Sequence, residues 1–376
     1  MKIAFASLVV AALAGTALAG ANPGDIVFTN QNNTSISLLS GGSVTTLVSL
    51  PGLPFGASGS QWRPSGITAD NNGRYYFGNQ PFDFANQTRP NNGIFAIDGL
   101  FGGAPTVSSF VDSQFPFDVD FDAGSDSLVY IQNPFRFFAG EPVNDGIYGS
   151  SLAAPSNQNF FTEDTSVARP FYEAGVFLVK DPNSSDYFVT ANNGGVAAGV
   201  SDDSPSTLWR FSPNFTNPAA STMTLVKDFS SDAALTNPLR HIRGVTAVPG
   251  TNELYITNNV VQTNGALGAA PGVYRVTLNP DGSYASLTLI NSDILQPEAI
   301  EYNPFTGQLI VSAFNDVNSN GTAEEGRIYS LNLDGSGLTV LAEGVHARDF
   351  HIVPTPGVAA LAGLAGLAGL RRRRSA

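Results

Sequence analysis

The most constraining feature of this 376-residue sequence is a segment near its end, GVHARDFHIVP from Gly344 to Pro354. It has the form of a repeat unit's first strand with the rest of the unit missing. Five earlier segments share that form: PSGITAD from Pro64, PFDVDFD from Pro116, EAGVFLVKD from Glu173, IRGVTAVP from Ile242 and PEAIEYNP from Pro297. Each of those five is followed by a turn and three more strand-like runs, whereas the sixth is followed only by the tail. Its three missing runs stand at the opposite end, as DIVFTN, SISLLSGG and VTTLVSL between Asp25 and Leu50. Six first strands and six sets of three balance only if the two ends of the chain pair. The expected fold is therefore all-β, a six-bladed β-propeller over residues 25–353, closed by pairing of the C-terminal inner strand with the N-terminal strands.

The intact repeats follow in order. The second blade runs from Arg63 to about Gln114 through GITAD, RYYFGN, GIFAIDG and TVSSFVD, and the third from Phe115 to about Thr165 through FDVDFD, SLVYIQN, GIYGSSL and NFFTED. The fourth, from Arg169 to about Pro238, contains GVFLVKD, DYFVTAN, TLWRFS and TLVKDFS, with its extra length in loops. GVTAVPG, ELYITNN, GVYRVTL and LTLINSD make the fifth, and AIEYNP, QLIVSAFN, RIYSLNLDG and TVLAEG the sixth. No run between Asn22 and Pro354 sustains a 3.6-residue apolar period, so helix should be scarce. The 39 glycines and 24 prolines suit short strands joined by tight turns, such as DNNG at Asp70–Gly73.

Ile67, Val119, Val176, Val245, Ile300 and Phe350 occupy matching positions in the inner strands and should pack between neighbouring sheets. Phe95, Tyr148, Trp209, Tyr274 and Tyr329 match one another in the third runs. At roughly 1.5 to 3 kcal/mol for each buried side chain, this packing can carry the fold. It has to, because the chain contains no cysteine. Disulfides, thiolate catalysis, cysteine-ligated zinc and lipid attachment at a cysteine are excluded. The formal charge of −13, with Lys2 and Arg371 to Arg374 set aside in the end segments, leaves a ring with no basic nucleic-acid footprint. Asn30, Asn79, Asn133, Asn192, Asn258 and Asn315 stand at or beside the ends of the second runs. Their amides are expected to cap the turns into the following loops, and they also offer a polar ring on one face.

Met1 to Ala19 has the layout of a secretory signal peptide: Lys2, the apolar run IAFASLVVAALAGTALA, and small residues at Ala17 and Ala19. Residues 354–376 form a tail. The sequence VPTPGVAALAGLAGLAGLRRRRSA from Val353 joins a Pro-rich hinge, an apolar run and a basic end. The thirteen residues from Val358 to Leu370 would reach roughly 20 Å as a helix, against a hydrocarbon core of about 30 Å. Transient membrane contact is expected, with the arginines on the cytoplasmic side. The order of these parts closely resembles the PEP-CTERM class of sorting tails of Gram-negative envelopes, with Thr355 where the family's VPEP has glutamate. The resemblance implies processing by an exosortase, a membrane cysteine peptidase, and a place in the cell envelope, at the surface or outside the cell. A plain membrane anchor also fits the pattern.

Two stretches could carry chemistry. DVNSNGTAEE, from Asp316 to Glu325, sets Asp316, Asn318, Asn320 and Glu324 around Gly321 as in the first nine positions of a calcium loop, although Arg327 stands where the last acidic ligand belongs. Such a site would hold structural Ca; the alternative is a polar hairpin turn. The second is a constellation at the start of the inner strands. His241, His346 and His351 stand there beside Arg240, Arg243, Glu298, Glu301, Arg348 and Asp349, with Asp118, Asp120 and Glu173 opposite. A tunnel mouth of converging polar groups suits a ligand, and ion pairs holding adjacent blades together are the alternative. There is no nucleophile elbow, phosphate loop or His-rich metal spacing. The repeat pattern, with its acidic inner strands, resembles the gluconolactonase and strictosidine-synthase-like superfamily. That resemblance implies a divalent metal in the tunnel, with Glu298, Glu173 and Asp118 as candidate ligands. The sequence thus predicts a non-catalytic binding or matrix protein, whose long loops Asn79–Gly93, Asn133–Gly146 and Asn192–Ser206 meet extracellular polysaccharide or an envelope protein. The alternative is a metal-dependent hydrolase or lactonase.

Overall fold

A computed structural model describes residues 21–50, 62–81, 92–132, 146–162, 174–192, 206–229, 232, 235, 237, 239, 241–259, 270–314 and 326–355. These residues form 24 strands, numbered here in chain order, in six four-stranded antiparallel sheets. The 3₁₀ turn Pro218–Ala220 is the helical element among them. The molecule is a six-bladed β-propeller. The innermost strands are β4 (Pro64–Ala69), β8 (Pro116–Asp122), β12 (Ala174–Lys180), β16 (Ile242–Ala247), β20 (Pro297–Asn303) and β24 (Ala347–Ile352).

The first blade is composite, as its halves in the sequence require. β24 pairs antiparallel with β1 (Ile26–Asn30), which continues into β2 (Ser35–Ser40) and β3 (Ser43–Ser49). Ile26 faces Ile352, Val27 faces His351 and Phe28 faces Phe350, until a bulge after Thr29 moves Asn30 opposite Ala347. Beyond the ladder, Gly24 N donates to Val353 O at 3.0 Å and Val353 N to Asp25 O at 2.8 Å. The two termini of the ring therefore satisfy each other's backbone groups.

Strand alternation explains the packing. In β5 (Tyr75–Asn79), Tyr75 and Phe77 join Val27, Ile36 and Leu38 of blade one, while Tyr76 between them joins Val119 and Tyr130 of blade three. The matched third-strand aromatics Phe95, Tyr148, Trp209, Tyr274 and Tyr329 are all buried, as are Ile67, Val119, Val176, Val245, Ile300 and Phe350.

Asn30 caps the turn that follows it, accepting from Asn32 N at 3.2 Å, and the amides also reach back to the adjacent chain. Asn79 Oδ1 accepts from Arg63 N at 2.6 Å, and Asn30 Oδ1 from His346 N at 3.2 Å. In blade three Gln132 takes the place of the expected Asn133, with Oε1 accepting from Gln114 N at 3.0 Å. Each amide thus holds the chain leading into its own blade's inner strand. A backbone clasp recurs beside it: the residue after the second strand donates to the residue before the inner strand, in Gln31–His346, Gln80–Arg63, Asn259–His241 and Phe314–Gln296. Asn192's side chain, Asn133 and Asn315 lie outside the described residues.

Glycine sets the closeness of two blade joints. A Cβ on Gly66 would lie 2.5 Å from Val119 N, and one on Gly244 would lie 2.7 Å from Glu298 O and from Ile300 N. Both occupy the third position of their inner strands, so neighbouring backbones approach closely there.

Candidate functional site in the central channel

The inner strands start together at one end of the channel. Their pairing sets Pro64 opposite Asn79, Pro116 opposite Gln132, Ile242 opposite Asn258 and Pro297 opposite Ala313. The connections between second and third strands therefore leave from this same end. Here the structure places Arg63, Arg243, Glu298, His346 and Arg348.

Glu298 is buried, with a partner at each carboxylate oxygen. Arg348 Nη1 donates to its Oε1 at 2.7 Å, and His346 Nε2 lies 2.8 Å from its Oε2. Burial alone would raise its pKa, but Arg348 first, then His346 and Arg243, outweigh burial and hold it far below the usual carboxylate range. Burial pushes the His346 imidazole down against the opposing pull of Glu298. The ring is then neutral at pH 7, and its contact is an Nε2–H hydrogen bond rather than an ion pair. The charge partner of Glu298 is Arg348.

Arg348 also meets an aromatic ring of another blade. Its guanidinium lies 4.5 Å from the centre of the Phe117 ring. Glu298 belongs to blade six and Phe117 to blade three, which face each other across a six-bladed ring. The side chain reaches from one wall to the other as an ion pair at one contact and a cation–π contact at the other.

Further along the channel lies a cavity of about 410 Å³, lined by all six inner strands and by Pro182, Pro249 and Pro304 of the turns at the opposite end. Four carboxyls line it: Asp118, Asp120, Glu301 and Asp349. Each is tied across a blade joint or to its own strand. Asp118 Oδ2 accepts from Leu178 N at 2.7 Å, Asp349 Oδ2 from Ile67 N at 2.7 Å and Asp120 Oδ1 from Phe121 N at 2.7 Å, while Glu301 bonds Thr246. Burial is the leading cause of raised pKa values throughout: about 6 for Asp120, about 7 for Asp118 and about 8 for Glu301. Asp349 is raised well above its ordinary value, with Asp118 adding repulsion. Lys180 also lines the cavity, but its Nζ is held by Asp122 Oδ2 at 2.7 Å.

The constellation expected at one mouth is thus two layers. Arg243, Glu298 and Arg348 lie at the strand starts; Asp118, Glu301, Asp349 and His351 line the cavity beyond. His351 also has an aromatic neighbour. Its ring packs edge-on against Tyr75, 5.4 Å between centres, and burial lowers its pKa to about 4. Arg63 and Lys180 escaped the sequence reading, although Arg63 is flagged by its position just before Pro64. Glu173, Arg240 and the loop bearing Asp316, Asn318, Asn320 and Glu324 lie outside the described residues.

Of the three candidate ligands that the superfamily resemblance implies, Glu298 and Asp118 are among the described residues and both are engaged by protein groups. Both oxygens of Glu298 are occupied by Arg348 and His346, and Asp118 accepts from the backbone of Val119 and Leu178. Among the described residues no three acidic or histidine side chains are grouped to hold an ion.

No family model matches the sequence, and no curated protein does. Solved structures do match in shape. A chain of a nidogen/laminin complex aligns with TM-score 0.55 and 11% identity, over 88% of this chain and 99% of that one. A gluconolactonase from Xanthomonas campestris aligns with TM-score 0.50 and 13% identity, over 90% of this chain and 94% of that one. TolB from Acinetobacter baumannii aligns with TM-score 0.50 and 11% identity, over 87% of this chain and 66% of that one. At such identities the likeness is one of fold, and it places this chain among β-propellers with a distant similarity to the gluconolactonase-like kind.

Proposed function

We propose that this chain is an exported, surface-sorted propeller that acts by binding, as a component of the cell envelope or extracellular matrix, and that its partner is an extracellular polysaccharide or an envelope protein. The observation that carries the reading is the occupation of Glu298. That carboxylate is engaged in fastening blades six and one, and the side chain that holds it also packs on Phe117 of blade three. The recognition surface in this reading is the face where the inner strands start, from which the connections between second and third strands depart. The signal-like residues 1–19 and the PEP-CTERM-like tail from residue 354 support delivery to the outside, with an exosortase-like peptidase as the processing partner.

The test is an array of extracellular glycans and matrix proteins probed with residues 22–354, beside an unrelated acidic propeller. Saturable binding that is specific to this chain, and is lost on replacing the Asn79–Gly93 connection with a short turn, is expected. Binding no stronger than that of the unrelated propeller would overturn the reading.

A further inference from the structure

Three arginines gather around one carboxylate among the described residues. Arg63, Arg243 and Arg348 act on one another and on Glu298 as the acidic group among them, while burial keeps His346 neutral. Arg348 is matched by Glu298 at 2.7 Å, and Arg63 donates from Nε to Gln31 Oε1 at 3.3 Å. Arg243 has neither an ion pair nor a side-chain hydrogen bond among the described residues, and its Nε is buried without a partner, as is Arg348 Nε. Burial first, and then the charge of Arg348, lower the Arg243 pKa to about 10, so it stays charged at neutral pH. Buried charges persist when they are paired and hydrogen-bonded, and a guanidinium left with unmet donors in such a layer is costly. Arg243 as a residue keeps a minor part of its surface exposed, and it sits at the channel end from which the long connections leave.

We propose that Arg243, supported by Arg348, binds a small oxyanion at this end of the channel: the carboxylate of an acidic sugar or an inorganic phosphate. A planar guanidinium fork matches such groups with two parallel hydrogen bonds. The anion meets the guanidinium of Arg243, which has no partner among the described residues. The inference goes beyond the binding role by naming the chemical class recognised, and it stands whether or not the chain is exported.

The experiment is a titration of the ring, residues 22–354, at pH 7 and constant ionic strength with D-glucuronate, inorganic phosphate or neutral D-glucose, followed by calorimetry and by thermal midpoint. Saturable binding and a rising midpoint are expected with glucuronate, phosphate or both, and none with glucose. Preference between the two anions identifies the source. Arg243→Gln should weaken the binding at least tenfold while leaving the ligand-free ring as stable as before or more so, because it relieves repulsion. Arg243→Lys should fall between. If neither anion binds saturably, or Arg243→Gln binds as the parent does, the site does not exist. Glucuronate binding without polysaccharide binding would retain the site and remove the wider role. Polysaccharide binding indifferent to Arg243→Gln would do the reverse.

Discussion

Arg348 Nη1 lies 2.7 Å from Glu298 Oε1, and this contact fastens the last strand of the ring to the blade before it. β24 is hydrogen-bonded to β1 on one side and pinned by Arg348 to β20 on the other. Both side chains are buried, at 7% and 8% exposure, so water does little to screen them. Glu298→Gln should therefore destabilise the ring by about 3 to 5 kcal/mol, the range for breaking a buried pair. The double variant with Arg348→Met should lose clearly less than the two single losses summed. Denaturant unfolding of the four proteins measures the coupling, and strict additivity would deny that the pair acts as a unit.

The cavity acids give a pH profile of definite sign. Asp118, Asp120 and Glu301 have folded pKa values raised to about 7, about 6 and about 8 from 3.8, 3.8 and 4.5. A raised pKa means stability that is full below the unfolded value and is lost as pH rises through the folded one. Glu298, whose pKa is depressed, contributes above its unfolded value of 4.5 and is undiminished in this window. The thermal midpoint should accordingly fall between pH 5 and pH 8.5. Glu301→Gln should flatten the upper part of that fall, and a profile unchanged by the substitution would contradict the assignment.

Gly66→Ala should cost roughly 1 to 3 kcal/mol, because the added methyl meets backbone rather than a side chain that can swing away. Its Cβ would approach Val119 N to 2.5 Å and Asp118 Cα to 2.6 Å. Chemical denaturation is again the measure, and a neutral effect would mean that blades two and three are less closely joined than described.

Residues 1–19 and 353–376 fused around a reporter should direct it out of a Gram-negative host, with shortening of the tail only when an exosortase is present. Immunoblotting of cell fractions reads both events. A reporter retained in the cytoplasm would remove the export reading, and a tail left whole beside an active exosortase would remove the sorting one.

The architecture was readable because a repeat advertises itself. The orphan strand around Phe350 and the orphan runs after Asp25 have one joint solution, and the aromatics of the third strands mark the blade period. The site was less readable because sequence proximity hid axial distance. Glu298 and Glu301 lie on one short strand, but three residues of extended chain cover roughly 10 Å and turn the side chain to the other face. Glu298 accordingly meets Arg348, while Glu301 lines the cavity with Asp118 and Asp349. The amides were half-legible for a related reason. Asn30 does accept from Asn32 in the turn ahead of it, but the backbone groups of His346, and of Arg63 for Asn79, come from chain that is distant in sequence.

Closure of the ring by its two ends is measured most directly by a cysteine pair, in a chain that contains no other cysteine. Ile26 and Ile352 are direct partners in the β1–β24 ladder, at a spacing that a disulfide can bridge. Ile26→Cys with Ile352→Cys should oxidise to an intramolecular disulfide in the folded protein, with both thiols consumed and no dimer formed. Two free thiols in the folded, oxidised double variant would mean that the ends do not meet, and the closed six-bladed ring would fall with them.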